Sequence, residues 1–435
     1  MLIRHFRLLL ITAVCVPAVC NDASMFRGDA AHSGIYDAVG APQTPKLKWK
    51  FQTRSSVISS PAVLAGVLYV GSNDHNLYAL DADSGALKWK FRTEGRVAAS
   101  PAVAGGIVYF GSYDGYFYAV DVAGKQKWKF QTDGERRYAG THLHGADPVA
   151  ETMPDPFDFY LSSPTVMDGT VYFGSGDGHV YALDAASGAQ KWKFHTGDVV
   201  HASPAVADGV VYVGSWDTYF YAIDAASGRE KWSFRTGDDP KIHNQIGIQA
   251  SALIANGTVY FGCRDSNFYA LDANTGEKKW IFNNKGSWVI GSAVIKDGRL
   301  YFTTSDSGLF HAVNAVTGKE IYTLQFLWPL FSSGAIAGNT LYIGSEEGKL
   351  LAVDLTTQRP AWSFITDGSK ANGATYTKPD GKPNYEAAFT GDGFYDGLVV
   401  GVNKMLSVGM VLSSPVVVGD TVYFGSTDGN VYALK

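Results

Sequence analysis

Apolar and polar positions alternate along this chain in short runs, such as Val108-Tyr109-Phe110 and Phe117-Tyr118-Ala119-Val120, and Gly, Asp and Ser interrupt every run. A period of two between turn residues predicts half-buried β-strands joined by tight turns. The runs belong to a unit of forty-odd residues that recurs along the chain. Its legible form is Ser60-Pro61-Ala62-Val63, Tyr69-Val70-Gly71-Ser72-Asn73-Asp74, Tyr78-Ala79-Leu80-Asp81, Gly85 and Trp89-Lys90-Phe91. The Pro61 position recurs at Pro101, Pro164, Pro204, Ala252, Ala293, Gly334 and Pro415. The Trp89 position recurs at Trp128, Trp192, Trp232, Trp280, Tyr322 and Trp362.

Seven units are complete. The eighth begins at Ser414-Pro415 and stops at Lys435 before any tryptophan strand, while Lys48-Trp49-Lys50-Phe51 stands unaccompanied near the other end. Repeats of this period build solenoids or propellers, and split ends favour the closed ring. The expected fold is therefore all-β: an eight-bladed β-propeller of four-stranded blades, closed by the N-terminal strand completing the C-terminal blade. A tyrosine on the second strand and an alanine on the third recur in every unit (Tyr69 and Ala79 in the first), as interdigitating blade faces require. Outside the first twenty residues helix signals are essentially absent.

A chain of 435 residues exceeds what one core normally supports, and repetition supplies many small cores instead. With 36 basic and 41 acidic residues the net charge is −5, and no basic run occurs, so nucleic acid is not an expected partner. Arg4 and Arg7 followed by apolar Leu8 to Val16 and a small-residue site near Ala18 predict a cleaved export signal over residues 1–20. That places the protein in the periplasm or outside the cell. Residues 21–45 are then an N-terminal extension and 46–435 a single propeller, expected to be monomeric and without a transmembrane segment. Pro17-Ala18-Val19 before Cys20 argues against lipid attachment there. Beyond Cys20 only Cys263 remains, so packing and ring closure replace disulfides.

Interruptions of the repeat mark where function should lie. The usual spacing from tryptophan to the next Pro61-like position is 12 residues, but it grows to 36 after Trp128, 20 after Trp232 and 53 after Trp362. These insertions, about 133–160, 237–248 and 367–411, all lie in the outer-to-inner connection, on the face of the Gly-Ser-x-Asp turns. Elaboration of one face of a repeat array builds a binding surface. The first insertion offers Arg136, Arg137, His142, His144, Asp155, Asp158 and Tyr160, and the second offers His243. Glycine dominates the third, which reads as a loop ordered on binding. His201, Trp288 and Trp328 approach the inner strands near the channel mouth.

Each candidate has two readings. His142 and His144 are either metal ligands or a hydrogen-bonded pair, and no third ligand at diagnostic spacing follows them. Arg136 and Arg137 either clamp an anion or pair with Asp155 and Asp158 to staple the insertion. Trp288 and Trp328 are stacking surfaces or core fillers. The turn acids Asp74, Asp114, Asp177, Asp217, Asp265, Asp306, Glu347 and Asp428 read as caps of backbone donors rather than a functional acidic ring. Asn256-Gly257-Thr258 fits a glycosylation acceptor and an Asn-Gly hairpin equally.

The segment Tyr78-Ala79-Leu80-Asp81-Ala82-Asp83-Ser84-Gly85-Ala86-Leu87-Lys88-Trp89 resembles the tryptophan-docking repeat of the pyrroloquinoline quinone (PQQ) propeller superfamily, and the likeness covers nearly the whole mature chain. Met25-Phe26-Arg27-Gly28-Asp29-x-x-His32-Ser33-Gly34 resembles the start of many exported PQQ-repeat proteins. The resemblance implies one of two functions. The first is an exported, non-catalytic propeller holding a protein or small ligand, similar to the barrel-assembly lipoprotein. The second is a PQQ- and calcium-dependent alcohol or sugar dehydrogenase. There Arg136 or Arg137 would hold quinone carboxylates, Trp288 or Trp328 would stack on the ring, and Asp155 or Asp158 would be the base. The adjacent-cysteine ring of many such dehydrogenases is missing, which favours the binding reading.

Overall fold

The computed structural model describes residues 22–40, 44–143, 147–237, 246–390 and 394–435. Eight blades of four antiparallel strands form a propeller, each running from a three-residue inner strand such as Ala62–Leu64 to an outer strand such as Leu87–Arg92, and Ile35–Tyr36 adds a fifth, parallel strand to the inner edge of the seventh. The inner hairpins turn on two left-handed residues. Asn256 and Gly257 adopt φ of 50° and 67°, as a type I′ turn demands.

Tryptophan and glycine couple neighbouring blades. A Cβ on Gly228 would lie 2.7 Å from the Trp192 ring, so close approach and a φ of 70° both require glycine there. The Trp192 indole Nε1 donates to the Ala225 carbonyl of the next blade at 2.9 Å, and Trp49, Trp89, Trp128, Trp232 and Trp280 repeat this bond. A serine before each inner strand adds a second ring. The Ser60 amide donates to Ser100 Oγ at 2.9 Å, Ser100 to Ser163 at 3.0 Å, and Ser163 to Ser203 at 2.9 Å.

Closure follows the split repeat. Strand Leu47–Gln52 pairs with Asn430–Leu434, setting Trp49 opposite Ala433, and the Ser414 amide meets Ser60 Oγ across the seam at 2.8 Å.

The extension occupies the central channel. Its carbonyls at Ala23, Ser24, Ala30, Ala31 and Gly34 accept from the amides of Val63, Val103, Val206, Ile254 and Ile336, the middle residues of five inner strands. Inner strands are sheet edges, and their unpaired donors are satisfied here by one crossing segment. Buried Arg27 donates to the Ser292, Ala293 and Gly334 carbonyls, and buried His32 meets Ala252 O and Thr165 Oγ1. Gly40 donates to Gly419 O, so this segment bonds all eight blades.

The third insertion corrects the expectation of a helix-free chain. It holds α1 (Asp367–Tyr376), α2 (Tyr385–Ala388) and α3 (Tyr395–Leu406). Thr366 caps α1 by accepting from the Ser369 amide, and Asp367 adds an acid to its first turn. Leu398, Val402 and Met405 recur on one buried face of α3. That face packs on the first insertion and the channel mouth in one apolar cluster with Met153, Phe159 and Trp288. Among the described residues, no helix is long and apolar enough to cross a membrane.

Candidate functional site

The Gly-Ser-x-Asp turns form the floor of the elaborated face. Their acids are structural in six blades: Asp217 accepts from the Tyr219 amide, the Tyr221 hydroxyl at 2.7 Å and the Gly197 amide of the preceding blade's exit. Asp74, Asp114, Asp177, Asp265 and Asp428 do the same with Tyr78, Tyr118, Tyr181, Tyr269 and Tyr432. The preceding x residue is released from this duty. It is Trp216, Arg264 and Glu346 in blades four, five and seven.

Two buried ionic contacts fix the first insertion to the mouth. His201, 2% exposed, lies between Asp158 Oδ1 at 2.8 Å and Glu135 Oε1 at 3.0 Å. Burial alone would depress its pKa; the Asp158 and Glu135 carboxylates outweigh that and raise it to about 10, so the imidazolium is the resting form. Asp158 also accepts from the Tyr138 amide, and Glu135 from the Gly176 amide and Ser175 Oγ. The second contact is Arg264. Its guanidinium is sandwiched between the Trp216 and Trp288 rings at 4.2 Å each, ion-paired to Asp155 at 2.6 Å and bonded to Gln249. Tyr138 stacks on the outer face of Trp216 with ring centres 4.2 Å apart. The result is a continuous stack of Tyr138, Trp216, Arg264 and Trp288.

Beyond that stack, under α3, lies a cavity of about 630 Å³. Phe157, Trp288, Phe331, Tyr385 and Phe389 give it aromatic walls, and Leu398, Val402 and Met405 roof it. Two acids interrupt this lining, Asp306 and Glu346. Glu346 is 7% exposed and its carboxyl has no hydrogen bond or ion pair among the described residues. Burial, reinforced by Asp306, raises its pKa to about 8. The Trp288 indole N–H is likewise buried without a partner. Asp306 stands in a turn one residue longer than its counterparts. His311 replaces the usual tyrosine there and bonds Asn284 and Thr323 instead.

The sequence candidates divide accordingly. Asp155, Asp158, His201 and Trp288 converge at the mouth. Tyr160 faces the narrow channel space beside His201, its hydroxyl donating to Leu412 O at 3.1 Å. Arg136 is half exposed and pairs with Asp198 at 2.8 Å, not with Asp155 or Asp158, whose partners are Arg264 and His201. The Arg137 Nε has no partner, and the residue stands apart from the cavity lining. Trp328 anchors the third insertion through Gly381 O at 3.0 Å. His142 is exposed beside Thr141, and His144 and His243 lie outside the described residues. Sequence reasoning missed Glu135 as a partner, Trp216, Arg264 and Glu346. Trp216, Arg264 and Glu346 share a signal, variation at x inside an otherwise repeated turn, whereas Glu135 lies in the first insertion.

Comparison with known proteins now places the chain. A family model described as "Outer membrane protein assembly factor BamB" matches residues 38–152, 158–283 and 264–435. The chain belongs to this PQQ-repeat family. The BamB of Moraxella catarrhalis superposes with a TM-score of 0.63 at 14% identity, covering 90% of this chain and 98% of that one. The quinohemoprotein alcohol dehydrogenase of Comamonas testosteroni gives 0.68 at 15% identity, covering 95% and 80%. Both likenesses show the fold. A lanthanide-dependent methanol dehydrogenase of Methylacidiphilum fumariolicum (strain SolV) is 30% identical over 98 residues, which is 22% of this chain and 16% of that protein. Two of these similar proteins are named as a quinohemoprotein alcohol dehydrogenase and a methanol dehydrogenase, and the quinone implied by the repeat resemblance is one candidate occupant of this cavity.

The cavity does not fit it. A tricarboxylate quinone would meet two acidic side chains and no lysine or arginine among the described lining residues. A divalent calcium ion leaves most of that charge uncompensated in a low-dielectric space. Arg264, the nearest guanidinium in the stack, is already committed to Asp155 and Gln249.

Proposed function

We propose that this is an exported binding propeller, non-catalytic, that holds a small and largely apolar ligand between its blade turns and α3. The cavity of about 630 Å³ carries this reading, because it combines aromatic walls with few polar groups in a roofed space of ligand size. The ionisable groups of the clamp at the mouth support a structural rather than a catalytic role for that cluster. His201, Asp158 and Glu135 satisfy one another, as do Arg264 and Asp155, and all five lie in packed walls. Arg4, Arg7 and the apolar run that follows support export to the periplasm or beyond.

The test is a neutral solvatochromic dye, Nile red, titrated into the purified protein. Saturable enhancement with one site per chain is expected, and it should weaken markedly in Val402→Trp, whose indole projects into the roofed space. Equal dye binding by that variant, with an unchanged melting temperature, would refute the proposal.

A further inference from the structure

The cavity has a charge preference, and resting on the small-ligand reading above, we infer that its ligand is a hydrophobic organic cation, an aryl- or alkylammonium. Three independent features of the lining converge on that class. The first is Glu346, buried to nine-tenths, lining the space and lacking any partner among the described residues. Buried carboxyls are otherwise paired, because an unpartnered polar group loses its hydration without replacement and a charge loses more. Every other buried acid at this mouth obeys that rule, with Asp155 on Arg264 and Asp158 on His201. Glu346 is the exception, and its missing counter-charge is what a cationic ligand supplies.

The second feature is Asp306. The longer turn of blade six brings this acid to the cavity wall beside Glu346. Two carboxyl groups on one wall make an acidic end in an otherwise apolar chamber. The third is the aromatic lining. Trp288, Phe157, Phe331, Tyr385 and Phe389 present π faces and edges around the remaining space. Trp288 already holds one cation, Arg264, at 4.2 Å, so its ring is demonstrably placed for cation–π contact. An ammonium group at the acidic end with its apolar body among the rings satisfies all three features. A carboxylate or phosphate group would instead face the two acids without a counter-charge.

Binding couples to a proton. Glu346 is held mostly protonated near neutral pH by burial and by Asp306, and a cation beside it favours the ionised form. The ammonium therefore displaces a proton from Glu346 at neutral pH. Its affinity rises as the solution passes through about pH 8.

The experiment compares benzyltrimethylammonium with its uncharged isostere neopentylbenzene by calorimetric titration of the whole chain, at pH 6.5 and 9. The expected result is that the ammonium binds at least tenfold more tightly than the isostere at pH 9, with a smaller advantage at pH 6.5. Glu346→Gln should remove most of the advantage and its pH dependence while leaving neopentylbenzene unaffected. Asp306→Asn, which leaves Glu346 in place, should reduce it in part and serves should Glu346→Gln fail to fold. Equal binding of the two probes would overturn the cation assignment while the apolar pocket stands. Ammonium binding that Glu346→Gln and Asp306→Asn leave intact would overturn it too. Binding of neither probe, with Nile red still bound, likewise overturns it; loss of Nile red as well refutes the pocket itself.

Discussion

At the scale of single residues, the turn acids and the x residues show how one repeat divides structure from function. Asp217 is fixed by three donors and cannot vary without unravelling its turn, whereas Trp216 beside it faces the mouth and is free to change. The acids were legible as caps from their glycine-flanked spacing. Their neighbours were not, because a single side chain in a loop has no periodicity to betray its direction. His201 illustrates the energetic side. Its folded pKa of about 10 lies above the ordinary 6.5, so the clamp's contribution is complete below about pH 6.5 and is lost as pH rises through about 10. We expect the urea midpoint of the native chain to exceed that of His201→Gln by most at pH 6, and the gap to close towards pH 10.5. A gap independent of pH would show that His201 acts by packing alone.

Among the elements, the strands follow from alternation, and the helices of the third insertion do not. Glycines at 368, 373, 397 and 401 give α1 and α3 poor intrinsic propensity, so tertiary burial rather than local preference holds them. The spacing of Leu398, Val402 and Met405 was present in the sequence but short, and flanking glycines obscured it. Gly401 has a specific cause. An added Cβ would sit 2.2 Å from the Phe389 ring, a cavity wall, so α3 packs on α2 only through a glycine. Replacing a helical glycine by alanine ordinarily stabilises by about 1 kcal/mol. Gly401→Ala is expected instead to lower the melting temperature and weaken Nile red binding at least several-fold. Gly373→Ala, whose nearest neighbour is the flexible Ser369 Oγ at 3.2 Å, should be neutral or stabilising. If both variants behave alike, the Gly401 contact does not shape the roof.

For the whole molecule, the ring was readable from the split repeat, because a missing tryptophan strand at one end and a spare one at the other admit few closed arrangements. The central role of the extension was not readable. Phe26-Arg27-Gly28-Asp29 carries no strand pattern, and the extension's meaning lies in carbonyls, one amide, one imidazole and one guanidinium that together reach eight different blades. Closure and extension stabilise the disc by different bonds, which makes them separable. Deleting residues 44–53 while keeping the extension uncovers the edge Asn430–Leu434, five buried residues with unpaired backbone groups. Such an edge recruits another strand, so the deletion variant is expected to self-associate in sedimentation velocity and to melt at lower temperature. A synthetic peptide of residues 46–53 added in trans should restore the monomer, since Trp49 brings both its ladder pairing to Ala433 and its indole bond to Ala82 O at 3.0 Å. The same peptide with Trp49→Ala keeps the ladder and loses the indole bond and the docking against Gly85, so it should rescue less well. Equal rescue by both peptides would mean that backbone pairing alone closes the ring. No rescue by either would mean that the extension, not the closing strand, holds blades one and eight together.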